Sequence, residues 1–389
     1  MPKKDKLALY IFIDALGWEV IKERPFLNDL ARTKEPLGTI FGYSSSCDPS
    51  ILTGKLPQEH EHFSFFRYNP KDSPFAICKW LDFLPKSLTK RGRVRQLMSR
   101  FIGKFYGITG YFQIYNMPFK HLSLFDHTEK RDIYKPGGIN SGASIIFEYL
   151  EARGIPFHAS NWRLPEIQRI EALEADLPKR EIEFAYLFLG DIDAVMHEHG
   201  TQGPEVDSSV SWYDKRLRQT LDLVNQNYDD VEFYVFSDHG MTNTIDNCDL
   251  ISRINALGFT FGKDYAAVYD STMARFWFFN ENARKSIAEA LGEEPRGKIL
   301  DQATLADYGC DFKDDLYGEL FFLLDPGVLL CPSFMGETTL KGMHGFDPYD
   351  KDSLASLTSN QKLADPPKRL EEMYDLMKAS ADRLRPETS

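Results

Sequence analysis

The sequence predicts an α/β fold: a mostly parallel central sheet with helices on both faces and inserted subdomains. Two observations lead there. Short apolar runs alternate with longer stretches of helical period. Several of those runs end in Asp or His, as strands do when their carboxyl ends face a ligand crevice. A chain of 389 residues, 42% of them hydrophobic, has the length for one large domain with an insertion, or for two domains.

Taken in order, residues 7–13 form the first candidate strand; the run is too short to span a membrane and ends in Asp14, so it does not read as a signal peptide. Phe41 to Gly54 is a small-residue turn entering a helix, with Pro49 placed as a first-turn residue. Residues about 65–135 break the rhythm: they are rich in aromatics and carry Lys86, Lys90, Arg91, Arg93, Arg95, Arg100 and Lys104. This stretch reads as an insertion over the sheet edge, either a plain solvated helix face or an anion-attracting lid or membrane-surface contact. Asn140 and Ser141 offer caps for a helix with Ile145, Ile146, Tyr149 and Leu150 on its apolar side and Gly154 at its end. Residues 155–159, 184–189 and 231–236 are further strands. Between the last two, Val206, Val210, Tyr213, Leu217, Leu221 and Val224 recur at helical spacing. Residues about 262–335 read as a smaller β-containing subdomain. The main domain is expected to close near residue 350, followed by a polar, helical C-terminal tail over 351–389.

Composition excludes several classes. With 46 basic against 58 acidic residues, a net charge of -12, the chain is no general nucleic-acid binder, since phosphate-backbone affinity needs clustered cations. Its five cysteines are odd in number and contain no C-x-x-C pair, which argues against a disulfide framework or a cysteine metal site and fits a reducing cytoplasm. No transmembrane segment is expected.

The chemistry concentrates at strand ends. Asp14 closes the first run. Gly190-Asp191-Ile192-Asp193 closes another and is followed by His197 and His199, and Ser237-Asp238-His239-Gly240 closes a third. Carboxylates and imidazoles at the ends of apolar strands cost desolvation free energy unless paired or metal-bound, and a shared metal site explains their recurrence. His344 stands between Gly342 and Gly345, in a backbone able to approach another strand closely. Hydroxyls at Ser44, Ser45 and Ser46 precede a helix start, where N–H groups and the helix dipole favour an anion.

Together, Ile13-Asp14, a hydroxyl ten residues before Gly54, Asp193-x-x-x-His197-x-x-Gly200, Ser237 to Met241 and Gly342-Met343-His344-Gly345 make the chain resemble the alkaline phosphatase superfamily, closest to its nucleotide pyrophosphatase/phosphodiesterase branch. The resemblance covers about residues 7–348. It implies an alkaline phosphatase-like fold and two divalent cations, Zn2+ by ligand type with Mn2+ as the alternative. One would be held by Asp14, Asp238, His239 and the Ser44 oxygen, the other by Asp193, His197 and His344. It further implies hydrolysis of a phosphodiester or pyrophosphate bond through a phosphoserine at Ser44, on a small-molecule phosphate ester or a glycan or lipid-head phosphodiester.

The sequence departs from the branch in places. Ser44-Ser45-Ser46-Cys47 stands where Thr-Phe-Pro-Asn is usual, so one slip of register selects Ser45 or Ser46 and no oxyanion-holding Asn is found. Asp191 competes with Asp193, and His199 with His197. His60 and His62 are either supports behind the site or surface residues, and His121, His127 and His158 have no ligand role in the pattern. Cys47-Asp48-Pro49-Ser50 matches a sulfatase site only superficially, because Ile51 replaces its Arg. The alternative functions are a phosphomonoesterase of the same superfamily and a non-catalytic metal-containing binding protein.

Overall fold

The computed structural model describes residues 4–81 and 91–385; Lys86 and Lys90 lie outside them. Six strands form the central sheet, in the order Thr33–Leu37, Ala355–Ser359, Tyr228–Phe236, Lys4–Ile13, Phe184–Leu189, Phe157–Ala159. All run parallel except Ala355–Ser359, which is antiparallel to both neighbours.

The alternation of the first strand explains the layers. Leu7, Leu9, Ile11 and Ile13 face one core, shared with Ile192 and Met196 and with Val206, Val210, Tyr213, Leu217, Leu221 and Val224 of the Pro204–Asn227 helix. Ala8, Tyr10 and Phe12 face the opposite core. There they meet Ile51 and Leu52 of the Ser44–Thr53 helix, Ile146, Phe147 and Leu150, and Met373, Met377 and Ala381 of the Met373–Leu384 helix.

Several expectations change. The segment expected as a polar tail after residue 350 supplies a strand inside the sheet and a helix whose apolar side is buried, so a boundary at 350 cuts through the main domain. The cap expected at Asn140 or Ser141 is not used. The helix runs Ile146–Ala152, while Asn140 Nδ2 donates to the Glu61 and Thr128 carbonyls. Pro49 lies inside the Ser44–Thr53 helix rather than in its first turn.

A second, antiparallel sheet of Tyr265–Tyr269, Met273–Phe278, Leu320–Leu324 and Gly297–Leu300 forms the expected β-containing part. The 65–135 insertion reaches the edge of the main sheet, where Arg163, just past Phe157–Ala159, donates to Asp132 and to the Thr109 carbonyl. It also packs on the smaller sheet, where Phe66, Phe75, Ile102 and Phe125 share a core with Tyr265, Phe276 and Phe322. Arg275 pins the two together. Fully buried, it pairs with Asp270 at 3.0 Å and donates to Ser64 Oγ and to the Phe66 and Tyr317 carbonyls. A buried charge of this kind persists only when so completely partnered.

Candidate active site

The carboxyl ends of the parallel strands meet at one cleft. Asp14 follows the first strand directly, and its N–H donates to the Leu189 carbonyl at 2.9 Å, so the neighbouring strand fixes it. The chain then turns through Ala15 at φ 61°, whose N–H donates to Asp238 Oδ1 at 3.0 Å. Asp193 and His197 lie one turn apart on the Asp191–His199 helix and so share a face, with His197 Nε2 3.3 Å from Asp193 Oδ2. His344 arrives from a distant loop because Gly342 lets that loop touch the same helix: a Cβ there would stand 2.5 Å from the Met196 carbonyl.

Two clusters result, each with three ligand atoms within 4.8 Å of one another: Asp14, Asp238 and His239, and Asp193, His197 and His344. His239 Nε2 lies 3.1 Å from Asp238 Oδ2 and 3.5 Å from Asp14 Oδ1, and His344 Nε2 lies 3.7 Å from Asp193 Oδ1. The His239 and His344 rings stack at 3.8 Å, so the clusters adjoin. His239 and His197 turn their Nδ1 atoms to the Gly240 and Gly342 carbonyls, both at 2.8 Å, leaving Nε2 for the cleft.

The donor set fits divalent cations. Asp14 Oδ1, Asp193 Oδ1 and Asp238 Oδ2 are buried without a hydrogen-bond partner, a costly state that a cation would relieve. Burial, then the charges of Asp238, Asp193 and Asp48, push Asp14 well above the usual carboxylate range. Burial alone would lower His239, but Asp238 and Asp193 outweigh it and lift the imidazole to about 9. His344 goes the other way, held down by burial and by His239 and His197. Oxygen and nitrogen donors of this kind suit a divalent transition-metal ion.

Each serine has a different partner. Ser44, the first residue of its helix, places Oγ 3.2 Å from His239 Nε2. Ser45 Oγ donates to the Phe63 carbonyl, and Ser46 Oγ to the Phe41 and Tyr43 carbonyls. Of the competing ligands, Asp191 is exposed and His199 lies beside Glu198 and Glu205, and neither belongs to a cluster. His60 and His62 are buried, not superficial. His60 Nε2 meets Ser50 Oγ of the serine helix at 2.9 Å, and His62 Nε2 accepts from the Asn140 N–H. His121 packs on Phe261, His127 among Phe65, Phe66 and Phe112, and His158 on Asp176. Cys47 is a buried filler whose thiol burial pushes up.

A cavity of about 680 Å³ opens over Ser44 and the second cluster. Sequence reasoning missed several residues of its wall and support. Asp48 lies one helical turn after Ser44 and therefore on its face; its Oδ2 accepts from Tyr134 O–H at 3.1 Å, and burial and then Asp238 lift it to about 8. The i, i+4 spacing becomes a signal only once the helix is known to begin at Ser44. Phe65, Tyr111, Tyr115 and Trp162 form an aromatic flank, with Phe65 against Tyr111 and Tyr115 at 5.3 and 5.6 Å. Glu166 accepts from the Gly190 and Asp191 N–H groups and from Tyr213 O–H, capping the helix that carries Asp193 and His197. Nothing local in sequence marks that role.

Fold and site together define an α/β scaffold whose strand ends gather two clusters of candidate metal ligands, with the Ser44 hydroxyl beside His239. The model of the family of type I phosphodiesterase / nucleotide pyrophosphatase matches residues 8–347, and the chain belongs to that family. Among solved structures, an inactive variant of murine ectonucleotide pyrophosphatase / phosphodiesterase 5 in complex with AMP is similar at TM-score 0.68 and 14% identity, over 97% of this chain and 95% of that one. The human ectonucleotide pyrophosphatase / phosphodiesterase 5 is similar at TM-score 0.68 and 13% identity, with the same coverage of 97% and 95%. At such identity the likeness speaks for the fold alone. Comparison with curated proteins finds no match.

Proposed function

We propose that this protein hydrolyses a phosphodiester or pyrophosphate bond with two divalent cations and a phosphoserine formed on Ser44. The carrying observation is Ser44 Oγ, 3.2 Å from His239 Nε2, at a helix start beside both ligand clusters. When bound, the cations would lower the pKa of the serine hydroxyl and neutralise charge on the phosphate and leaving oxygens. Asp14, Asp238 and His239 would hold one, and Asp193, His197 and His344 the other. Ser44 Oγ would attack phosphorus while its proton passes through water to the departing ester or anhydride oxygen. Water would then cleave the phosphoserine, one of its protons returning to Ser44 Oγ and its oxygen leaving on the phosphate. The helix N-terminus favours the phosphate electrostatically. The aromatic flank of Phe65, Tyr111, Tyr115 and Trp162 offers stacking surface to the group beyond it, so nucleotide diesters are the first substrates to try. The five unpaired cysteines support a reducing, cytoplasmic setting.

The test is turnover of bis(p-nitrophenyl) phosphate against p-nitrophenyl phosphate by zinc-loaded and manganese-loaded protein, with metal content measured before and after chelation. Diester turnover that chelation abolishes and zinc restores is expected. A monoester preference would move the protein to the phosphomonoesterase reading, and bound metal without turnover to the binding-protein reading.

A further inference from the structure

The Gly92–Phe105 helix has two unlike faces. Inward, Ser99 and Ile102 are buried, Ile114 N–H donates to Ser99 Oγ at 2.9 Å, and Arg95 donates to the Tyr115 and Met117 carbonyls. Arg95 is therefore part of the packing and offers no surface charge. Outward, Leu97, Phe101 and Phe105 recur at i, i+4 and i+8 and are 69%, 67% and 74% exposed, with the two Phe rings stacked at 6.5 Å. Tyr106, just past the helix, is 51% exposed with its ring edge-on to Phe105 at 5.1 Å. Arg93, Arg100 and Lys104 are exposed alongside Leu97, Phe101 and Phe105, and the helix contains no acidic residue.

The turn Ala76–Leu81 repeats the arrangement. Cys78 points into the same core as Ile102, while Ile77 and Trp80 stand 56% and 70% exposed, with Lys79 over the Trp80 ring.

Single exposed apolar residues need no explanation, but a helical stripe of three large ones bordered by cations does. We propose that this face is a docking surface for an anionic lipid membrane, the helix lying in the interface with Leu97, Phe101 and Phe105 among the acyl chains and Arg93, Arg100 and Lys104 at the headgroups.

Charge selects the occupant. A second copy docked face to face would set like cations against each other, whereas anionic headgroups complement them. The chain as a whole carries -12, so an anionic surface repels the rest of the molecule and admits this face, which fixes orientation as well as binding. The helix is hydrogen-bonded to the segment that lends Tyr111 and Tyr115 to the cavity wall, so docking brings that wall close to the bilayer. This proposal does not depend on the catalytic reading.

Full-length protein is sedimented with phosphatidylcholine vesicles with and without phosphatidylglycerol, at low and high salt. The comparison includes a Leu97→Ser/Phe101→Ser/Phe105→Ser variant and an Arg93→Glu/Arg100→Glu/Lys104→Glu variant. Near-ultraviolet circular dichroism and melting curves verify folding; were the triple serine variant to misfold, the charge variant alone decides. Wild-type protein should bind the anionic vesicles, weaken with salt, and lose about tenfold or more in apparent affinity in each variant. Absence of binding by wild-type protein, or equal binding by the folded charge variant, overturns the proposal. So does a wild-type dimer in sedimentation velocity that the serine variant abolishes, since the face would then join two copies.

Discussion

Ser44, Ser45 and Ser46 are chemically identical and adjacent, yet their hydroxyls have separate destinies. Ser45 and Ser46 donate to backbone carbonyls that would lose a partner on substitution, whereas Ser44 faces His239. Replacing Ser44 by Ala should therefore lower diester turnover on the order of a thousandfold or more, with bound metal and melting temperature nearly unchanged. Ser45→Ala should retain turnover of the wild-type order and lose about 1 kcal/mol of stability. Steady-state kinetics and metal analysis on the three single variants decide it, and a collapse confined to Ser45→Ala or Ser46→Ala would shift the nucleophile by register. Asp14, Asp193, Asp238 and His239 stood out at or near the ends of apolar runs, whereas His344 and the choice of Asp193 and His197 over Asp191 and His199 came from the family resemblance. The structure brings all six into two clusters. Asp48 escaped notice since its meaning depends on a helix beginning at Ser44, one turn earlier than Pro49 implied.

Elements place these side chains, and Glu166 shows how one element orients another. Gly190 gives the Asp191–His199 helix no side-chain cap, and a carboxylate from the preceding helix takes its place, 2.7 and 3.0 Å from the Gly190 and Asp191 nitrogens. Anions at helix starts are favourable, and this one is buried with Tyr213 as its further donor. Glu166→Ala should loosen the helix and weaken cation affinity at the Asp193, His197 and His344 cluster by about tenfold or more, as read by chelator-competition titration. Glu166→Gln keeps an acceptor oxygen and should recover part of that loss. Unchanged affinity in both would reduce Glu166 to a packing residue. The strands at 184–189 and the long helix over Val206 to Val224 were readable because periodicity is a property of the segment itself. The Glu166 contact was not, for it joins residues 24 and 25 positions apart through tertiary approach.

Over the whole molecule, the C-terminal helix is held to the sheet by polar groups as well as by Met373 and Met377. Glu232 accepts from Arg383 and from Ser380, whose oxygen lies 2.7 Å from Tyr10 O–H. Burial alone would raise the Glu232 pKa, but the Arg383 and Ser380 hydrogen bonds outweigh it and hold it below the usual carboxylate range. A depressed folded-state pKa contributes stability above the unfolded pKa, and that stability is lost as pH falls through the folded value. Glu232→Gln should therefore cost about 1 kcal/mol at neutral pH, given the partly exposed guanidinium, and almost nothing once the carboxyl is protonated in acid. Urea unfolding of both proteins across that range checks it, and a pH-independent difference would contradict it. The α/β class was legible in the sequence, but the placement of Ala355–Ser359 was not: five residues after a presumed domain end carry no sign that they pair with strands more than a hundred and more than three hundred positions earlier.

That strand also bears on synthesis. A ribosome that has released residues 1–350 has delivered every candidate ligand and nucleophile, but Thr33–Leu37 still has no partner in the sheet and the flank of Tyr228–Phe236 is open. The nascent chain therefore carries an unsealed edge, the feature through which β-structures associate wrongly, until Ala355–Ser359 emerges. Chains released early should be captured by holdase chaperones or sediment as aggregates, whatever the completeness of their catalytic residues. Pulse-labelled translation of a chain stopped at residue 350, compared with the full-length chain for solubility, exposes this dependence directly.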